Sequence, residues 1–207
     1  MFSQFSVQDI GIILASILIG MAFHEAMHAF TAHALGDTTA RDQGRLTLNP
    51  LKHIDLMTTL LLPLVMLLIG LPPLFVAKPV PFNPDRLRYD EFGAALVALA
   101  GPLTNLVLAF VASLLIKSVG GDGGLSHALL IFIEVNVAFF VFNMIPLPPL
   151  DGSRVLYAFA PEPVQRAMYR FEMLGFGVTI VVLLVLANVL SPAIGHIDNA
   201  ILTFLLR

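Results

Sequence analysis

Four stretches of 18 to 26 mostly apolar residues dominate the chain, at residues 10–35, 93–116, 126–145 and 173–190. A helix needs roughly 20 predominantly apolar residues to cross the hydrocarbon core of a bilayer. Only 12% of the 207 residues are charged, against about a quarter in an ordinary soluble domain. The pattern therefore predicts an all-α, polytopic membrane protein with four to five transmembrane helices and no separate soluble domain of ordinary size.

The composition narrows the classes of partner and of metal ligand. The formal net charge of −3 gives no large basic field of the kind that attracts nucleic acid. Cysteine is absent, so there are no thiolate ligands, and any metal ion must be held by nitrogen and oxygen atoms. We expect the lipid bilayer, and no nucleic acid, as a partner.

A fifth apolar stretch, residues 56–76, is interrupted by Pro63, Gly70, Pro72 and Pro73. If it crossed the membrane, the positive residues before and after it would lie on opposite sides, against the positive-inside rule. If it enters the membrane and returns, nine of the eleven Lys and Arg residues lie in the cytoplasm. We favour the second interpretation, because non-helical backbone is tolerated in a membrane where protein or water covers it.

The preferred topology bears on the segment between the first and second clear spans, residues 36–92. We expect this segment to be re-entrant and partly β, because the alternating stretch GRLTLNP at residues 44–50 is typical of a short edge strand closed by Pro50. The N-terminus then lies outside, and the ends of the first and third spans share the cytoplasmic side. His127 and His196 are left on the opposite face.

The first apolar segment contains three ionisable residues in the stretch FHEAMHAF, residues 23–30. On a helix His24 and His28 lie on one face, so that both imidazoles can bind one metal ion. Glu25, about 100° further round the helix, can act as a general base towards a metal-bound water without being a ligand. Ionisable residues inside a span are costly and tend to mark function, which favours a metal site over satisfied polar packing. One zinc ion is the expected occupant, because catalytic zinc takes three protein ligands and leaves one position for water.

The third ligand must come from elsewhere, and Asp151 is the candidate. It lies in NMIPLPPLDG, residues 143–152, where three prolines break the helix after the third long apolar segment. Gly152 would permit a sharp turn, so that the carboxylate faces inward. Asp151 alone could equally be a loop residue or a helix N-cap. The presence of the two histidines of the first segment in the same chain favours the interpretation of Asp151 as a metal ligand.

These motifs resemble those of the site-2 protease family of intramembrane zinc metalloproteases. HEAMH matches the HExxH motif of the family, and NMIPLPPLDG matches its NxxPxxPxDG pattern. The stretches GRLTLNPLKHID, AKPVPFNP and AGPLTN resemble the compact branch that lacks an inserted PDZ domain, so the resemblance covers most of residues 20–160.

The resemblance implies a role for each matched residue. His24, His28 and Asp151 would bind zinc, Glu25 would activate water, and Asn143 would stabilise the oxyanion. It also implies a membrane-re-entrant β-structure within residues 45–80.

Together these features predict a single integral membrane metalloprotease domain over residues 1–207, with a core at 8–160 and C-terminal helices at 161–207. We expect it to hydrolyse peptide bonds of single-span membrane proteins near the cytoplasmic side of a bacterial or archaeal cytoplasmic membrane. The alternative is a zinc-binding transporter or scaffold without proteolysis. Glu25 favours the enzyme, because a transporter needs ligands but no adjacent base.

The sequence leaves the role of several other residues open. His53 and Asp55 could orient a zinc ligand or belong to an ordinary loop. Gly101 would allow close helix contact, and Asn105 could hydrogen-bond across helices or face the substrate. Glu134 is an intramembrane carboxyl group that could be functional or structural.

Overall fold

The computed structural model describes residues 6–55, 59, 61, 78–120 and 123–207, and within them the regular elements are seven α-helices and two 3-10 turns. The turns are Pro50–Lys52 and Pro84–Arg86. In chain order the helices are α1 (Val7–Ala34), α2 (Thr39–Asp42), α3 (Asp90–Val119), α4 (Gly124–Asn143), α5 (Asp151–Phe159), α6 (Glu162–Glu172) and α7 (Phe176–Leu206). The predicted all-α class is confirmed.

Four helices are long and apolar enough to cross a membrane, namely α1, α3, α4 and α7. They coincide with the four apolar stretches of the sequence and confirm a multi-pass membrane protein. The apolar tail at 192–207 continues the last span, because α7 runs without interruption through Pro192 to Leu206.

Small residues line the contacts of α1, α3 and α4, which form the centre of the bundle. Such residues let helix backbones approach closely, which drives helix association in lipid. A Cβ atom at Gly20 of α1, for example, would lie only 2.8 Å from Asn136 Oδ1 of α4. The fully or nearly fully buried alanines of α1 and α3 are Ala22, Ala26, Ala29, Ala32, Ala98, Ala109 and Ala112.

The predicted edge strand at residues 44–50 is wrong, since none of these residues is in a strand. The backbone there bonds locally instead: Asn49 N donates to Thr47 Oγ1 at 3.1 Å, and Leu51 N donates to Asn49 Oδ1 at 3.0 Å. Short polar side chains of this kind compete with a strand ladder for the backbone. The described parts of residues 45–80 contain no strand, so the predicted β character of this segment is not supported.

The predicted re-entry at residues 56–76 falls, apart from residues 59 and 61, outside the described residues. The chain on either side of this stretch is described, and its two sides meet. Lys78 N donates to the His53 carbonyl oxygen at 2.9 Å. The positive residues Lys52 and Lys78 therefore lie on the same side of the bundle, and the re-entry between them stays a prediction.

Two contacts hold the chain that precedes α3 against the end of α1. Arg88 N donates to the Leu35 carbonyl oxygen at 2.9 Å. The fully buried Asp37 accepts a hydrogen bond from Asn83 N at 2.6 Å on one carboxylate oxygen and from Thr39 N at 3.0 Å on the other. Burial alone would raise the pKa of Asp37, but hydrogen bonds from the Thr39 hydroxyl group, Asn83 N and Thr39 N outweigh it and hold the pKa below its ordinary value.

Candidate metal centre

The two histidines of α1 lie side by side in the interior of the bundle. His24 is 7% exposed and His28 is 8% exposed, and their ring centroids are 4.6 Å apart. At 1.5 Å of rise per residue, they lie about 15 Å and about 9 Å from the end of α1. The two histidines therefore lie inside the span rather than at its end.

Asp151 meets the histidine pair from a distant part of the chain. Its Oδ2 lies 3.1 Å from His24 Nε2 and 3.4 Å from His28 Nε2. One ligand atom from each of the three residues lies within 4.8 Å of the others. The structure thus brings together the three residues that the sequence predicts as ligands.

The turn before α5 places Asp151 at the site. Asp151 is the first residue of α5, and Thr179 Oγ1 of α7 holds the preceding loop by donating to the Pro148 carbonyl oxygen at 2.8 Å. A Cβ atom at Gly152 would overlap the Met144 carbonyl group. Glycine is thus needed here for a close backbone approach within a helix, and not for the sharp turn that the sequence suggested.

Hydrogen bonds from α3 orient both imidazoles. His24 Nδ1 lies 2.6 Å from Asn105 Oδ1, and His28 Nδ1 lies 2.7 Å from the Val97 carbonyl oxygen. Each of these oxygens can only accept, so each Nδ1 carries the proton and donates it. Both Nε2 lone pairs are then free to face Asp151.

Asn105 is itself held in place by the helices around it. Its Nδ2 donates to the Gly20 carbonyl oxygen at 3.1 Å and to Asn136 Oδ1 at 2.9 Å. Asn136 in turn donates to the Phe132 carbonyl oxygen at 2.8 Å. Of the two roles that the sequence left open for Asn105, the structure shows hydrogen bonding across helices. Asn105 Oδ1 accepts the hydrogen bond from His24 Nδ1, a link that nothing in the sequence indicated.

Gly101 of α3 lies directly against the metal-facing nitrogens. A Cβ atom at this position would be 2.5 Å from His28 Nε2 and 2.6 Å from His24 Nε2, closer than real Cβ atoms approach. Its glycine allows the close helix contact that the sequence predicts, and it also keeps open the space in front of both nitrogens.

The donor set fits a zinc ion. Two neutral imidazoles with free Nε2 atoms and one carboxylate are ligands that zinc accepts, and three protein ligands leave a position open for water. His24 and His28 supply the two imidazoles, and Asp151 supplies the carboxylate.

Glu25 is buried next to the ligand pair without belonging to the cluster of three. It is 8% exposed, and its Oε2 accepts a hydrogen bond from Val80 N at 3.0 Å. Val80 belongs to the irregular chain at residues 78–83, and nothing in the sequence connected it with Glu25.

Other polar residues named from the sequence lie elsewhere or keep other partners. Asn143 Nδ2 donates to the Phe139 carbonyl oxygen of its own helix at 3.0 Å, and its oxyanion role stays a prediction. His53 Nε2 bonds to the Thr47 carbonyl oxygen at 2.8 Å, so that this nitrogen serves the loop. Glu134 is exposed on the outer face of α4.

The opposite end of the bundle carries a separate polar contact. His127 Nε2, near the start of α4, lies 2.6 Å from Asp9 Oδ1, near the start of α1. This contact places His127 at the end of α1 remote from His28.

Comparison with known proteins identifies relatives that share most of the chain. YwhC of Bacillus subtilis is 35% identical over 178 residues, which cover 82% of this chain and 78% of the relative. Rip2 of Mycolicibacterium smegmatis is 32% identical over 183 residues, which cover 84% of this chain and 66% of the relative. A protein of Methanocaldococcus jannaschii is 33% identical over 158 residues, which cover 75% of this chain and 74% of the relative. All three are zinc metalloproteases by name.

Two further comparisons return no match. No family model and no solved structure matches the chain.

Proposed function

Because this chain belongs to the site-2 protease family of zinc metalloproteases, we propose that it is an intramembrane endopeptidase that uses one zinc ion. Its substrates are single-span membrane proteins, which it cuts near the cytoplasmic side of a bacterial or archaeal cytoplasmic membrane. The whole of residues 1–207 acts as one catalytic domain in this proposal.

One observation carries the proposal. Asp151 Oδ2 lies 3.1 Å from His24 Nε2 and 3.4 Å from His28 Nε2, and the ligand atoms of the three residues lie within 4.8 Å of one another. Both Nδ1 atoms are bonded to acceptors of α3. Two buried histidines and a half-buried carboxylate, drawn from helices more than 120 positions apart in sequence, do not meet through helix packing alone, because removing such groups from water costs free energy.

Different residues serve different steps of peptide-bond hydrolysis in this proposal. When bound, zinc would polarise the scissile carbonyl group and acidify the attacking water. Glu25 accepts a proton from that water and delivers it to the leaving amine, as a general base and then a general acid. Asn143, once released from its own helix, donates its amide N–H to the developing oxyanion, an interaction typically worth about 2.7 to 4 kcal/mol.

The position of the site supports a substrate that lies within the membrane. The histidine pair lies about 9 to 15 Å inside the end of α1, on the side where the positive residues around residues 41–52 and 78–88 gather. A substrate helix hides its peptide bonds in its own hydrogen bonds and must unwind locally before the attack.

Substitution of the base tests the proposal against a zinc transporter or scaffold. Wild type, Glu25→Gln and, as a matched control, Glu91→Gln at the exposed start of α3 are purified in detergent, and cleavage of single-span substrates is measured beside the zinc content. We expect Glu25→Gln to keep its zinc and lose cleavage, while Glu91→Gln behaves as wild type. Cleavage that persists in Glu25→Gln, or a wild type that binds zinc and cuts none of the substrates, contradicts the proposal.

A further inference from the structure

Arg45 is a buried cation that the proposed mechanism does not use. Its side chain is 7% exposed, and its guanidinium donates to three backbone carbonyl oxygens: that of Lys52, that of Lys78 at 2.6 Å and that of Pro79 at 3.4 Å. The first carbonyl precedes residues 56–76, and the other two follow them. Arg45 therefore ties together the two ends of this segment.

The same contacts lead to the catalytic base. The Pro79 carbonyl group and the Val80 N–H belong to one planar peptide group, so that fixing one end of this group orients the other. Arg45 donates to the Pro79 oxygen, and Val80 N donates to Glu25 Oε2 at 3.0 Å. A chain of two hydrogen bonds thus runs from Arg45 through one peptide unit to Glu25, and hydrogen bonds in series strengthen one another.

We propose that Arg45 is a positioning residue for Glu25, acting through the Pro79–Val80 peptide group. The proposal deepens the proposed function and rests on it. With Oε2 held by Val80, the Glu25 carboxylate keeps one orientation, and its second oxygen is left to accept the proton of the attacking water.

Arginine suits this task better than lysine. A guanidinium presents five N–H donors in a rigid plane and can therefore bind several carbonyl oxygens from two chain segments at once. Burial lowers the pKa of Arg45, and the negative charge of Glu25 opposes that shift, so the two groups interact electrostatically. The Arg45 Nε is buried without a partner among the described residues.

The chain around Val80 is packed firmly enough to transmit the position of Arg45. Val80 is 7% exposed and lies in a small apolar cluster with Ala29 of α1 and Ala40 of α2, and Leu46 packs against this cluster. Ala29 follows the metal-facing His28 directly in α1. The peptide group that contacts Glu25 is therefore anchored on the helix that carries the base.

Kinetics of purified, zinc-loaded variants form the first part of the test. Arg45→Gln and Arg45→Lys are compared with Arg41→Gln, a matched control whose side chain is 54% exposed and pairs only with its neighbour Asp42 among the described residues. We expect Arg45→Gln to lower kcat by about 10- to 100-fold, the usual effect of removing a group that orients a metal site. KM and the zinc content should stay unchanged, Arg45→Lys should fall between, and Arg41→Gln should match wild type.

A double-mutant cycle on the metal-free protein forms the second part, and it requires no activity. Thermal unfolding is measured for wild type, Arg45→Gln, Glu25→Gln and the double variant. If Arg45 acts on Glu25, the two changes in Tm should depart from additivity by about 2 °C or more. Arg41→Gln combined with Glu25→Gln should be additive.

The outcomes separate this inference from the proposed function. An additive cycle for Arg45 and Glu25, or an Arg45→Gln variant with the kcat of wild type, overturns the positioning role. If the wild type cleaves nothing, the proposed function fails, and the cycle alone still decides whether Arg45 positions Glu25. Where Arg45→Gln does not fold, Arg45→Lys takes its place in both measurements.

Discussion

His24 Nδ1 donates a hydrogen bond to Asn105 Oδ1 at 2.6 Å, across the contact between α1 and α3 and over 81 positions of sequence. This bond selects the tautomer in which the His24 Nε2 lone pair faces Asp151. The metal centre therefore depends on a helix that supplies none of its proposed ligands.

Asn105→Leu should weaken zinc binding. The substitution removes the acceptor of the His24 proton, and loss of such a partner typically costs about 10- to 100-fold in metal affinity. Zinc titration with a competing chelator measures the change. Thr104→Val, which removes a partly buried hydroxyl group that bonds, among the described residues, only to its own helix, is the neighbouring control and should keep wild-type affinity. Equal affinities for wild type and Asn105→Leu would contradict the orienting role of Asn105.

Gly101→Ala should abolish zinc binding while the helices still form. Its Cβ atom would lie 2.5 Å from His28 Nε2 and 2.6 Å from His24 Nε2, so the two rings must turn away from the metal position. Gly11→Ala in α1 is the matched control, because a Cβ atom there meets nothing within 4 Å. Zinc content and circular dichroism are measured for both variants. Full zinc occupancy in Gly101→Ala would show that the space in front of the histidines is not required.

Removal of zinc should lower the thermal stability of the wild type. A ligand that binds only the folded state stabilises it by about 2.7 kcal/mol when its concentration is 100 times Kd. We expect a chelator to lower Tm in wild type and in His127→Ala, whose side chain lies at the opposite end of the bundle. His28→Ala should show no response to the chelator. A His28→Ala variant that responds like wild type would place the ion elsewhere.

Asp37→Asn should lower stability at neutral pH, by about 1.5 to 3 kcal/mol for the loss of hydrogen bonds to a buried charged group. The folded-state pKa of Asp37 lies below its ordinary value. Its contribution is therefore complete above the unfolded pKa of about 3.9 and disappears as the pH falls through the folded pKa. Thermal unfolding of wild type and Asp37→Asn from pH 7 down to pH 3 measures how the contribution of Asp37 to stability depends on pH.

The difference in stability between wild type and Asp37→Asn should be constant from pH 7 to about pH 5 and shrink below that. Asp85→Asn, at an exposed position in the nearby 3-10 turn, is the control and should show a much smaller difference. A wild-type advantage that persists unchanged to pH 3 would show that the charge of Asp37 does not carry it.

The local features of this protein follow from its sequence. Four apolar stretches predict the four spans, because the length of an apolar run is set by the thickness of the bilayer. The spacing of His24 and His28 predicts their common face, because the period of a helix is the same in every protein. The predicted strand at residues 44–50 failed where the pattern was short and where polar side chains satisfied the backbone locally.

The relations that complete the site were decided by tertiary structure. The sequence indicated that Asp151 could reach the histidines, but nothing in it showed that Asn105 would orient His24, that Gly101 would leave room before the Nε2 atoms, or that Val80 would hold Glu25. Each of these contacts joins residues at least 55 positions apart. Such contacts depend on the depth and angle at which packed helices and the chain between them cross, and these are set by the whole interior together rather than by any one segment.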